Sequence, residues 1–258
     1  MLLFSCKKEV STSKESSVFN AAAAKEWYYA EFKKSAEWRG SDMKGKKLPD
    51  WSSGVYKKIG NYEVVEFPLI KATKRFELMK DNSISAEDTR RIMESSVNSI
   101  LFIRKGKQIF VREVQYIPAL QYLTASNFDI SRNKISAIEK TFSGQIVIKK
   151  WNGAEVGRNV LVNGKIIKRY KLDNVLAKGL QRTQSCQVGQ LEITEWARDC
   201  EVHIYGDGMV TNECGQWYTT GNTWCVDDEN GQIPACSDPG SPECFCELVG
   251  NCEDPNSG

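Results

Sequence analysis

At 258 residues the chain has room for one large domain or two modest ones, and 41% hydrophobic with 26% charged residues is the composition of a globular protein, which excludes disorder as the dominant state. The net charge of +2 conceals an asymmetry: residues 181–258 hold two basic residues against fourteen acidic ones, or −12, so the chain's 35 basic and 33 acidic residues leave +14 for residues 1–180. Eight of the nine cysteines fall between Cys186 and Cys252, an even set in a short tail that reads as a disulfide framework and argues against the cytosol.

The ninth cysteine stands apart, behind Leu3-Phe4-Ser5. Leu3-Phe4-Ser5-Cys6 resembles the lipobox of bacterial lipoproteins, with an apolar residue three positions before the cysteine and a small one just before it. The resemblance implies signal cleavage before Cys6, diacylation of its sulfur and a membrane as partner through that anchor. The basic region and most of the apolar region of a signal peptide are missing, so the expected start lies upstream of Met1. Residues 1–17 therefore read as signal remnant, lipidation site and tether, because Lys7 to Ser17 is too polar to bury a core. No later segment reaches the roughly 18 apolar residues of a spanning helix, so the expectation is a protein anchored to a membrane without crossing it.

Residues 18–180 form the expected body. Asn20 can cap a helix running to about Arg39 with Gly40 as its stop, placing Phe19, Ala23, Trp27, Ala30 and Trp38 on one face. Strand patterns follow at Tyr62–Leu69, where Pro68 marks an edge or an end, and at Ile100–Arg104 and Ile109–Val114 around Lys105-Gly106-Lys107. Between them, Ser85 to Ser96 reads as helix or loop. Asn152-Gly153 and Asn163-Gly164 then predict two type I′ hairpin turns within one meander. A helix followed by antiparallel strands is an α+β pattern, the helix lying across a curved sheet in a cystatin-like shape.

Ala24-Lys25-Glu26-Trp27-Tyr28, Leu48-Pro49-Asp50-Trp51, Phe142-Ser143-Gly144-Gln145-Ile146 and Val162-Asn163-Gly164-Lys165-Ile166 occur in that order. Together they are similar to a group of uncharacterised lipoproteins of the Bacteroidota, many with a cysteine-bearing C-terminus. That resemblance, over roughly residues 20 to 225, implies a lineage and an envelope location. It carries no activity and no catalytic residues.

Residues 181–258 read as an acidic cysteine-rich module, poor in apolar residues and in need of covalent staples. Cys186, Cys200, Cys214, Cys225, Cys236, Cys244, Cys246 and Cys252 are the expected disulfide cysteines, with 105 pairings open. Cys200–Tyr205 reads as a strand and Gly206-Asp207-Gly208 as a turn. Gln216-Trp217-Tyr218 and Thr223-Trp224-Cys225 read as a hairpin across Thr220-Gly221-Asn222, and everything beyond Cys236 as turn residues.

Zinc requires paired cysteine or histidine knuckles, whereas the tail offers only Cys244-Phe245-Cys246 and the single His203. Asp227-Asp228-Glu229-Asn230-Gly231 misses the calcium-loop template at Val226. No metal and no cofactor are therefore expected. His203, between Val202 and Ile204, lacks any recognisable nucleophile or orienting acid, and no catalytic motif is present, so no catalytic residue is assigned. Trp217, Tyr218 and Trp224, beside carboxylates, are candidate contacts for a protein or glycan, against the plainer reading that they are core. A basic body suits nucleic acid in principle, but the lipobox and the disulfides argue against that partner. Docking of the body on the acidic tail, or on anionic lipid, uses the same charge.

The fold expected is α+β: an N-terminal helix packed on an antiparallel meander sheet, followed by a small disulfide-rich C-terminal module. The function expected is a binding or interaction role, without catalysis, in a lipid-anchored cell-envelope protein on the periplasmic or exposed face. A hydrolase using tail carboxylates and a protease-inhibitor-like module are the alternatives.

Overall fold

The computed structural model describes residues 18–40, 47–79, 83–170, 186–187, 189–205, 210–227, 231 and 236–249. Helix α1 (Ala21–Ala30) begins at Asn20, whose side chain accepts from the Ala23 N–H at 3.0 Å and so satisfies one otherwise orphaned donor. The predicted single helix is in fact three pieces. A 3₁₀ turn (Phe32–Lys34) follows, and Ser35 then recaps α2 (Ala36–Arg39) by accepting from the Trp38 N–H. Phe32 is buried at the break, four residues on from Tyr28 and so on the same side of the chain. The buried stripe is Phe19, Ala24, Tyr28 and Phe32, displaced from the predicted face, while Ala23, Trp27 and Trp38 pack at its margin.

Four strands precede the next helix: β1 (Lys47–Pro49), β2 (Val55–Ile59), β3 (Tyr62–Lys71) and β4 (Thr73–Met79). Helix α3 (Ala86–Ser95) resolves the helix-or-loop stretch, capped by Ser85, whose hydroxyl accepts from the Asp88 N–H. Then come β5 (Val97–Lys105), β6 (Gln108–Pro118), α4 (Leu120–Ala125), β7 (Gly144–Lys149), β8 (Glu155–Val162) and β9 (Lys165–Tyr170). All pairings are antiparallel. The main sheet runs β3-β5-β6-β7-β8-β9, with β1 and β2 sharing the outer edge of β3. Apart from β4, which leaves for a second sheet, this is a meander, and α1 lies on it over Val65, Phe67, Ile100, Phe102 and Trp151.

Pro68 corrects the edge expectation, since it lies inside β3 opposite Ser99 of β5. Its carbonyl accepts from the Asp50 N–H, so its nitrogen faces the gap between β1 and β2, where no ladder hydrogen bond is due. The two Asn-Gly turns also differ. Asn163 and Gly164 take φ of 50° and 71°, as a type I′ turn requires, and Val162 pairs Lys165. At Asn152-Gly153 only the glycine is left-handed. The strands close further back, at Lys149 and Glu155, and the Asn152 side chain accepts from the Ala154 N–H.

The tail contributes β10 (Gln190–Ile204), β11 (Val210–Cys214), β12 (Tyr218–Asp227) and α5 (Pro242–Val249). The predicted hairpin across Thr220-Gly221-Asn222 is instead an irregularity inside β12, facing a register shift in β10 between Thr194 and Trp196. Helix α5, read as turn residues, carries a legible start: Ser241 accepts from the Cys244 N–H, and Pro242 and Glu243 occupy the first turn. Body strand β4 pairs tail strand β10 over seven residues, from Ile193↔Met79 to Asp199↔Thr73. Trp217, Phe245, Leu248 and Val249 join the same apolar cluster as Val64, Leu101 and Val114. Residues on both sides of position 180 thus build one sheet and one core.

Candidate functional site

Two kinds of interior meet beneath the main sheet. One is apolar; the other is ionic, built on alternate positions of β6, β7 and β8. Glu113 is buried and accepts from Lys47 Nζ at 2.7 Å and from Lys71 Nζ at 2.5 Å, and Lys47 also donates to the Trp151 carbonyl at 2.9 Å. Burial alone would raise the Glu113 carboxyl, but Lys71, Lys47 and Lys149 overcome it and hold the group far below the usual carboxylate range. Burial pulls Lys71 the other way for a lysine, down to about 8, against the opposing pull of Glu113. Lys149 in turn donates to Glu77 of β4.

Arg158 of β8, fully buried, donates to both Glu155 oxygens at 3.2 and 3.1 Å, to the Glu77 carbonyl at 2.7 Å and to the Gln145 side chain at 2.7 Å. These bonds fasten β4 against β7 and β8. Such ions add little net stability, yet removing one partner strands the others. Their effect here is geometric, because β4, β7 and β8 are walls of a groove.

That groove encloses about 700 Å³ at one end of the main sheet. Leu78 and Met79 of β4, Ile92 of α3, Ile117 of β6, Leu120 of α4 and Leu161 of β8 give it apolar walls. Thr89, Gln121, Ser143 and Gln145 supply neutral hydrogen-bonding groups. Among its described lining residues none is ionisable. Gly144 shapes the floor: at φ 150°, a Cβ there would sit 2.8 Å from Pro118 Cα and 2.9 Å from the Ala119 nitrogen. A polar pocket of about 470 Å³ adjoins it across Gln121 and Ser143. There Arg132 and Glu139 form an ion pair at 3.3 Å, and Tyr122 donates to Glu139. The combination of apolar walls, neutral donors and acceptors, and an adjoining ion pair fits an amphipathic chain.

Compared with known proteins, the chain matches no protein-family model, no curated protein and no solved structure.

The residues singled out from the sequence lie elsewhere. Trp217 is buried against Phe76 at 5.6 Å, and Trp224 is buried with Ile193 and Val226, so both pack as core. Tyr218 alone of the three is exposed, its hydroxyl donating to Asp199 at 3.2 Å. His203 lies on β10 opposite Thr211, half-buried. Among the described residues no three His, Cys, Asp or Glu side chains converge as metal ligands. Asp227 ends β12, and Asp228 lies outside the described residues.

Disulfides join Cys186 to Cys225, Cys200 to Cys214 and Cys236 to Cys244. Cys246 is also disulfide-bonded, while Cys6 and Cys252 lie outside the described residues. No helix among the described residues is long and apolar enough to cross a membrane. Sequence reasoning missed the groove because its lining is ordinary core sequence drawn from six elements.

Proposed function

We propose that this is a lipid-anchored cell-envelope protein, diacylated at Cys6, whose folded body binds the apolar portion of a protein or glycan-linked partner in the groove without chemical turnover. The observation that carries the binding role is the groove's described lining of apolar walls and neutral polar groups, which can bury and orient a ligand. Three disulfides support an oxidising compartment, and the lipobox resemblance supports the anchor. The likeness to Bacteroidota lipoproteins belongs to the same reading. One acyl chain holds a membrane only marginally, so the diacyl modification is what makes residence stable.

A neutral fluorescent probe, N-phenyl-1-naphthylamine, tests the groove. The wild-type protein should bind it at one site, and Leu120→Arg, which places a charge among the apolar walls, should weaken binding about tenfold or more. Equal binding by both proteins would remove the groove from the account.

A further inference from the structure

Away from the groove, β4 and β10 set two cations face to face. Lys74 and Arg198 are directly opposed in the antiparallel register, which puts both side chains on one face of the second sheet. Like charges so placed repel, and both side chains are half-buried, where repulsion is less screened. A carboxylate between them would be the ordinary remedy. Among the described residues neither makes a hydrogen bond or an ion pair, and the Arg198 Nε is buried with no acceptor.

The nearby acids are engaged elsewhere. Asp199 accepts from Thr73 and Tyr218, and Glu195 accepts from Thr220 and Asn222 and faces Arg75 at 3.6 Å. Glu94, exposed on α3, acts on Arg198 only through space. Meanwhile the guanidinium is held in place, 4.6 Å from the centroid of the buried Trp217 ring, which itself packs on Phe76. Burial and the Arg198 charge push Lys74 down to about 8, as expected of a cation lacking its anion.

We infer that Lys74 and Arg198 form an oxyanion-binding site, in which Trp217 fixes the guanidinium and the paired cations receive a phosphate, sulfate or carboxylate group. A guanidinium offers a planar fork of donors and an ammonium a movable point charge, the pairing suited to an oxyanion approached from one side. The site is separate from the groove, whose share of β4 is Leu78 and Met79 at the strand's other end.

The test uses the folded protein with sodium phosphate, sodium sulfate and sodium acetate, each against sodium chloride at matched ionic strength. Thermal unfolding and the ¹H–¹⁵N signal of the Arg198 Nε are the readouts. In the wild type at least one oxyanion should raise Tm and move that signal with a Kd of about 1 mM. A response to phosphate and sulfate alone assigns a tetrahedral ligand group, and a response to acetate assigns a carboxylate. Lys74→Gln should fold at least as stably as wild type, because it relieves the repulsion, and should bind about tenfold more weakly. Leu120→Arg should keep the full response, which separates this site from the groove. No wild-type response, an equal response in Lys74→Gln, or a Tm for Lys74→Gln below wild type would each overturn the inference. Arg198→Gln adds a second variant where it folds, and Lys74→Gln suffices where it does not.

Discussion

Glu113 shows how a buried charge is tolerated when its neighbours are right. Two lysines donate to it inside the core, and each would be stranded without it. Glu113→Ala should therefore cost about 3–5 kcal/mol in urea denaturation, while a triple change of Glu113, Lys47 and Lys71 to apolar residues should cost far less. An equal cost for the two would mean that the network is not what holds these side chains.

Lys71 and Lys74 give the pH dependence its sign. Both titrate at about 8 when folded and near 10.4 in an unfolded chain, so between those values the unfolded state holds more protons and stability rises with pH. Tyr28, pushed up to about 12, and Tyr116, also raised, reverse this above about pH 10, where unfolded tyrosine ionises first. The urea midpoint should climb from pH 8 to about 10 and fall beyond it. A flat profile through that window would contradict the burial of these lysines.

Among the elements, β12 and α5 decide what the tail aromatics and cysteines do. Trp217→Ala should cost about 3–5 kcal/mol, as loss of a buried ring does, whereas Tyr218→Ala should stay within about 0.5 kcal/mol. A ligand-contact role for Trp217 would show the opposite, with stability unchanged. Ser241→Ala should remove about 1 kcal/mol by uncapping α5, read from thermal unfolding.

The hairpin turns at Gly106-Lys107 and Asn163-Gly164, the strand at Cys200 and the Asn20 cap were legible because each depends on neighbours along the chain. Long-range packing hid the rest. Phe32, at the helix break, packs against Trp151, 119 positions away, and at the β12 irregularity Glu195 grips Thr220 and Asn222 across the sheet. Helix α5 has a readable Ser-Pro-Glu start, set after a Ser-Asp-Pro-Gly run whose residues favour turns. The groove is assembled from residues that each look like core, so no local signal marks it.

At the scale of the whole molecule, the charge asymmetry finds only part of its expected use. Arg169 of the body pairs Glu247 of α5, and Arg112 donates to the Val249 carbonyl, so the basic body does meet the acidic tail at those points. The shared β4–β10 pairing and the common apolar cluster make the tail's order depend on the body's. The Cys200–Cys214 and Cys186–Cys225 bonds stiffen that joint sheet, each contributing about 3 kcal/mol by constraining the unfolded chain.

The central claim, an anchored and covalently stapled envelope protein, is tested most directly by non-reducing peptide mapping of protein recovered from the native membrane fraction. The account predicts a diacylated Cys6 with Cys186–Cys225, Cys200–Cys214 and Cys236–Cys244 joined. An unmodified Cys6 together with free thiols at those six positions would contradict it.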